Sequence, residues 1–379
     1  MNELIPFNRP FIAGNEIEYI NNIQDKFSGE GAYTRKCHAW LEKITQAGKC
    51  LLTTSCTHAL ELATLLLDIK KGDEVIMPSF TFVSTANPFA LRGAKIVFVD
   101  IRPDTLNINE ELIEKAITPK TKVIVPVHYA GVSADMGTIL NIAQKHNLWV
   151  VEDAAQGINA EYNGKHLGSI GHLGALSFHD TKNIHCGEGG ALLINDDSLI
   201  EKAEILREKG TNRSKFLRGE IDKYSWVDIG SSYLPSELNA AFLLAQLERS
   251  WDVKKKRLQL WHRYNDLISP LRKSGLIETP ALQNHDHNGH IYYIKLRNIN
   301  ERQAMISHLS LLGIQSTFHY VPLHSSRAGQ RFGDFFGKDS FTTKDSERLL
   351  RLPMYYDLTE NQIDMIVAGL EEFVHEHQI

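Results

Sequence analysis

Residues 148–156, LWVVEDAAQ, and residues 174–190, GALSFHDTKNIHCGEGG, decide the fold. Each begins as a short apolar run and ends in charged or polar side chains. A short apolar run without alternation suits a strand buried on both faces, and the polar finish marks its carboxyl end.

Outward from these two stretches the same texture recurs. CLLTTS (50–55), DEVIMPS (73–79), KIVFVDI (95–101), KTKVIVPVHY (120–129) and GGALLIND (189–196) are strand-like. Between them lie stretches with helical spacing, such as THALELATLLLDI (57–69) and DMGTILNIAQKHN (135–147). Strands alternating with helices predict a doubly wound, mostly parallel α/β sheet flanked by helices. From Pro235 a long helical pattern runs through residue 271. Beyond it HIYYIKL (290–296) and IQSTFHY (314–320) alternate as half-buried strands do, with helices at 301–312 and 360–373. The expected division is a large α/β domain over residues 1–254, N-terminal segment included, and a small α+β domain over 255–379.

With 379 residues the chain can bury a sizeable core. Its 41 Lys and Arg against 46 Asp and Glu, a formal charge of −5, give no electrostatic reason to expect nucleic acid or an anionic membrane as a partner. The N-terminal MNELIPFNRPFIAGNEIEYI has no basic region leading into an apolar one, so no secretory leader is expected. No apolar run is long enough to span a bilayer. Cys37, Cys50, Cys56 and Cys186 form no CxxC pair and read as reduced thiols of a cytoplasmic protein.

Open α/β sheets bind ligands at the carboxyl ends of their strands. At TTSCTHAL (53–60) a Ser/Thr-rich turn opens a helix. Its first N–H groups, with the Ser55 and Thr57 hydroxyls, suit a phosphate; a plain N-cap explains the same residues. Asp153, with Gln156 close behind, can meet a metal, a ribose or a ring nitrogen, or simply cap a turn. Ser177, His179 and Lys182 follow the next strand, ahead of Gly187, Gly189 and Gly190. A buried lysine there loses proton affinity and becomes an amine nucleophile; a surface-loop lysine is the plain alternative. Taken together the three sites suit pyridoxal 5′-phosphate (PLP). That cofactor needs a lysine for its imine, an acid to keep the pyridine nitrogen protonated, and donors for its phosphate. Phe80 and Phe82 in PSFTFVST (78–85) offer an aromatic face. No GxxxxGKS/T, GxSxG or HExxH motif points elsewhere, and no GxGxxG follows the first strand.

PSFTFVSTANPFALRGAKIVFVD (78–100), VIVPVHYAG (123–131), VVEDAAQ (150–156), SFHDTKN (177–183) and GEGG (187–190) resemble the sugar aminotransferases of the DegT/DnrJ/EryC1/StrS family. FHYVPLH (318–324) and RLLRLPMYY (348–356) extend the likeness over essentially the whole chain. The resemblance implies a PLP-dependent aminotransferase of fold type I. DIGSSYL (228–234), EKGTNRS (208–214) and TTKDSERLLRLP (342–353) are most similar to the subgroup that makes dTDP-4-amino-4,6-dideoxygalactose.

By that resemblance Lys182 is the Schiff-base lysine and Asp153 the partner of the pyridine nitrogen. Gln156 contacts the ring's 3-hydroxyl side, and Phe82 stacks on the ring. Ser177 and the backbone of Cys56 and Thr57 hold the phosphate. His179 lies beside the site, and Tyr320 and His324 line the sugar pocket. Lys209 and Arg213, in REKGTNR, are placed by their charge against a nucleotide diphosphate. The implied partners are a dTDP-sugar and L-glutamate, and the implied assembly is a homodimer with the site at its interface. Two departures stand out. Many family members have glycine where Cys56 stands, and cysteine would strain a positive φ. In the family pattern G-x-N-x-R the asparagine reaches the phosphate from the neighbouring subunit; here GSSYL puts Ser232 and Leu234 at those places, and only the serine can donate. HDHNGH (His285, His287, His290) is read as a solvated loop rather than a metal site, and VKKKR (253–257) as the wet face of a helix.

Overall fold

Short apolar runs can bury both faces only if helices cover both sides of the sheet they form. In the computed structural model, which describes residues 4–24, 26–280 and 286–377, these runs become β1 (Lys49–Thr53), β2 (Glu74–Pro78), β3 (Lys95–Val99), β4 (Thr121–Ile124) and β5 (Trp149–Asp153). A small hairpin follows, β6 (Glu161–Tyr162) and β7 (Lys165–His166), then β8 (Leu173–Ser177) and β9 (Gly190–Ile194). The C-terminal part adds β10 (Tyr292–Lys295), β11 (Thr317–Phe318), β12 (Gly333–Phe335) and β13 (Leu349–Leu352).

Eight of these strands form one sheet in the order β1-β9-β8-β5-β4-β2-β3-β12. β9 runs antiparallel to both its neighbours, and every other pairing is parallel. GGALLIND is therefore the reversed strand of a mostly parallel sheet. Because it is reversed, β9 begins where β1 and β8 end: Gly190 sits opposite both Thr53 and Ser177. Successive side chains point to opposite faces. Val75 and Met77 pack with Leu60 and Ala63 of the helix Cys56–Leu66, whereas Ile76 packs with Ile139 and Ile142 of the helix Met136–His146. Each such fully buried aliphatic side chain is worth about 1.5–3 kcal/mol.

β10, β13 and β11 make a separate antiparallel sheet. HIYYIKL differs from its expected half-burial, since all four residues of β10 are buried. Tyr292 stacks on Tyr264 at 5.0 Å under the helices Ser250–Ile268 and Glu360–His377, while Tyr293 meets Tyr129 at 6.1 Å on the other side. The small sheet thus has two covered faces, which aromatic alternation disguised. IQSTFHY contributes only the two residues of β11. The long helix expected from Pro235 is two helices, Glu237–Glu248 and Ser250–Ile268, separated at Arg249, whose ψ of 3° leaves the helical range. Ser236 caps the first by accepting from the Asn239 N–H. No helix among the described residues is long and apolar enough to cross a membrane.

Candidate active site

The strand ends converge on a cavity of about 540 Å³. Its floor is the carboxyl edge of the large sheet. Cys56 and Thr57 come from the end of β1, Phe82 from the end of β2, Asp153 and Gln156 from the end of β5, and Ser177, His179 and Lys182 from the end of β8.

Asp153 is 6% exposed and closes β5. Its Oδ2 accepts the Thr85 hydroxyl at 2.6 Å, and its Oδ1 accepts the Ala155 N–H at 3.1 Å. Thr81 and Thr85 are themselves joined at 2.6 Å, so a hydroxyl chain fixes the carboxylate. Lys182 lies in the tight loop between β8 and β9, where its N–H bonds the His179 carbonyl at 2.9 Å. Burial pushes its ammonium below the ordinary lysine range, against the pull of Cys56 and Asp153; the positive charge of Arg351 adds to the depression. It is the one lysine on the cavity wall among the described residues.

The helix Cys56–Leu66 points its N-terminus into the cavity. Ser55 is its N-cap, accepting from the His58 N–H at 3.1 Å. The N–H groups of Cys56 and Thr57, in the first turn, have no acceptor within the helix, and the helix dipole favours an anion there. The Thr57 hydroxyl donates to Ser84 at 2.8 Å, and Ser177 lines the same cavity. Ser55 is therefore the cap of the plain reading, and the start of the helix beyond it faces the cavity. Cys56 is the first residue of the helix and is absent from the left-handed region, so the strain expected of a cysteine at this turn does not arise. Gly190 is what lets β9 lie this close: a Cβ there would overlap the backbone of Ser55 and Cys56.

Gln156 accepts the Ala130 N–H at 2.6 Å and donates to the Tyr320 hydroxyl at 3.1 Å. The amide is thereby held against the cavity, and Tyr320 is tied to the floor. Phe82 is 57% exposed, with its ring 6.3 Å from that of Tyr320.

Five sequence candidates fall outside this wall. Phe80 is fully buried, its ring edge-on to those of Tyr129 and Tyr320. His324 is turned away, its Nδ1 paired with Ser79 Oγ at 2.8 Å and its Nε2 near Asp339 at 3.3 Å. Arg213 pairs with Glu208, Lys209 is exposed in a left-handed turn, and Ser232 is exposed beside Glu208.

Other wall residues escaped the sequence reading. Arg257, at the end of VKKKR, is 5% exposed and donates to the carbonyls of Gly289, His290 and Met354. It is not on the wet face, because the helix turns it under the segment 287–290. That segment is not solvated either: His287 is 5% and His290 8% exposed, and His290 pairs with Asn183 at 2.8 Å. His285 lies outside the described residues. Among those described, no three His, Cys, Asp or Glu side chains are arranged to hold a metal. Arg351, His319, Phe7 and Asn8 complete the far wall. Arg351 had a signal, a charge set between the leucines of RLLRLP (348–353); nothing local marked the others.

These residues fit PLP. The donor set at the helix start suits its phosphate, the carboxylate of Asp153 suits a pyridinium, and the destabilised ammonium of Lys182 suits an imine.

The model of the DegT/DnrJ/EryC1/StrS aminotransferase family matches residues 10–371. The chain is 35% identical to the protein MJ1066 of Methanocaldococcus jannaschii, covering 99% of this chain and 98% of that one. It is 31% identical to the spore coat polysaccharide biosynthesis protein SpsC of Bacillus subtilis, covering 98% of each. Among solved structures, Spr1654 of Streptococcus pneumoniae, a proposed sugar aminotransferase determined in its PLP form, superposes with a TM-score of 0.90 at 26% identity and 99% coverage of both chains. End-to-end likeness of sequence and of fold leads to one assignment: the chain belongs to the DegT/DnrJ/EryC1/StrS aminotransferase family and is a PLP-dependent sugar aminotransferase.

Proposed function

We propose that the enzyme transfers the amino group of L-glutamate to C4 of dTDP-4-keto-6-deoxy-D-glucose, giving dTDP-4-amino-4,6-dideoxy-D-galactose. The observation that carries the transfer chemistry is the placement of Lys182 and Asp153 at neighbouring strand ends of one cavity. The choice of sugar rests on DIGSSYL, EKGTNRS and TTKDSERLLRLP.

PLP bound here supplies an electron sink that carries the amino group from donor to acceptor. The Cys56 and Thr57 N–H groups and the Ser177 hydroxyl hold its phosphate. Asp153, fixed by Thr85 and Ala155, keeps the pyridine nitrogen protonated. Gln156 meets the 3-hydroxyl side, and Phe82 covers one face. Lys182 Nζ removes the proton from the donor's Cα and later delivers one to C4 of the sugar. Burial lowers its proton affinity and so favours the neutral amine that takes a proton, and the side from which it delivers the proton sets the configuration at C4. Tyr320 lines the sugar pocket.

The working form is a homodimer in the cytoplasm. Supporting the dimer, the segment that carries Ser232 also exposes Trp226, Val227 and Ile229, apolar surface that a second subunit would cover. On this reading Ser232 reaches the partner's phosphate.

The test is mass spectrometry and NMR of the product formed from dTDP-4-keto-6-deoxyglucose and glutamate. An axial amine at C4 is expected. An unaminated sugar, or an amine at C3, defeats the reading.

A further inference from the structure

The stretch HDHNGH ends in a histidine whose ring is fastened at one nitrogen and open at the other. His290 is buried and lines the cavity together with Lys182. Its backbone is held twice. The N–H donates to Asn288 Oδ1 at 3.1 Å, and the carbonyl accepts from Arg257 Nη2 at 2.8 Å. Its ring meets Asn183 Oδ1 through Nδ1 at 2.8 Å. The direction of the Asn183 amide settles the tautomer. Nδ2 of Asn183 donates to the Asn288 carbonyl at 3.2 Å, which leaves Oδ1, a pure acceptor, for the ring. Nδ1 of His290 therefore carries the hydrogen, and Nε2 keeps a lone pair. Among the described residues Nδ1 has a partner and Nε2 has none.

We infer that His290 is a positioning residue for Lys182, its Nε2 accepting a hydrogen bond from Nζ once the lysine is free of the cofactor. The inference rests on the aminotransferase reading. Asn183 follows Lys182 directly in the chain, and consecutive Cα atoms lie only about 3.8 Å apart. A ring fastened to Asn183 is thus fastened beside the lysine's own backbone, and both side chains open onto one cavity. The other cations of that wall are directed elsewhere. Arg257 spends Nε and Nη2 on three carbonyls, and the guanidinium of Arg351 lies over the ring of Phe7 at 4.6 Å. When Lys182 takes the proton from the donor's Cα, the C–H electron pair stays behind and Nζ becomes an ammonium with three N–H bonds. Its four-carbon stem is flexible. One N–H bond to Nε2 restrains the stem and keeps the others directed at the carbon that next receives the proton. The contact needs a neutral ring, because an imidazolium has no lone pair to offer. Burial keeps His290 neutral, and the groups facing it, Lys182, Arg257, Arg351 and His319, act in the same direction.

The test compares His290→Asn with His290→Gln in the full-length enzyme. An asparagine amide can replace the Nδ1–H toward Asn183 but sets no acceptor where Nε2 was; a glutamine can place its carbonyl oxygen there. In the holoenzyme, His290→Asn is expected to lower kcat roughly 10- to 100-fold while both KM values stay near wild type, and His290→Gln to recover part of the loss. A second readout needs no turnover. With the cofactor dialysed away, Lys182 is labelled by trinitrobenzenesulfonate across a range of pH, and the modified peptide is counted by mass spectrometry. A hydrogen bond donated by the ammonium favours the charged form. The labelling midpoint should therefore fall by about one pH unit in His290→Asn, and by less in His290→Gln. An unmoved midpoint in His290→Asn overturns the inference even where kcat falls, since that pattern leaves His290 a packing role alone. A raised KM for the dTDP-sugar at unchanged kcat also overturns it and gives Nε2 to a sugar hydroxyl. If His290→Asn moves the Lys182 midpoint yet wild-type enzyme aminates no keto sugar, the functional reading falls and the contact stands.

Discussion

Thr85 donates its hydroxyl proton to Oδ2 of Asp153 across 2.6 Å. The bond links the helix Val83–Leu91 to the end of β5 and fixes the plane of that carboxylate. Thr85→Val should keep the fold and loosen the cofactor. Hydrogen bonds to charged groups contribute about 1.5–3 kcal/mol, so PLP loss during dialysis should speed up by roughly tenfold or more, read from cofactor absorbance. Retention equal to wild type would mean that the Ala155 N–H suffices.

Lys182 gives a pH signature independent of catalysis. Its folded-state pKa lies below the ordinary lysine value, so the native state binds this proton less tightly than the unfolded chain does. The strain on stability is therefore fully present below the depressed pKa and fades as pH rises toward the unfolded value. In cofactor-stripped protein, Lys182→Met should raise the melting temperature at pH 7 and lose that advantage by about pH 10. Thermal melts at the two pH values check it; an advantage independent of pH would assign the gain to packing.

Two glycines, Gly187 in the loop before β9 and Gly190 at the start of β9, should respond differently. Gly190→Ala drives a methyl into the Ser55 and Cys56 backbone and should cost about 3 kcal/mol, together with phosphate binding. Gly187 has a φ of 79° and open space around it, so Gly187→Ala carries only the left-handed penalty of about 1 kcal/mol. Urea midpoints rank the two, and the reverse order would contradict the close packing of β9 on the helix.

All four cysteines are buried and unpaired, and burial pushes their thiols above the ordinary range. Native protein at pH 8 should leave Ellman's reagent almost colourless, then release four equivalents once denatured. A fast equivalent that bound PLP suppresses would show that Cys56, on the cavity wall, is reachable from the mouth.

The floor of the site was legible because the sequence around a strand end is contiguous with the strand. Asp153, Gln156, Ser177 and Lys182 each follow an apolar run that announces itself. The far wall had no such marker. Arg257 ends what scans as the wet face of a helix, and only the packing of segment 287–290 over that helix decides that it points inward. His290 is polar by composition and buried by context. Tyr292 and Tyr293 alternate like an amphipathic strand while both are covered, since hydrophobic pattern reports burial and not the identity of the cover. His324, read from the same motif as Tyr320, is separated from it by a turn that sends one side chain to the cavity and the other to Ser79.

The pairing of β12 with β3 has a mechanical consequence. Residues 333–335 return from the C-terminal part to lengthen the large sheet, so that part is stitched to the rest at a strand edge as well as through the helix Ser250–Ile268. A flap tied along two seams cannot swing on one pivot. The wall bearing Tyr320 and Arg351 can slide or breathe against the floor, but opening it wide means unzipping a sheet edge, and the same stitch denies β3 to any stray strand from another molecule.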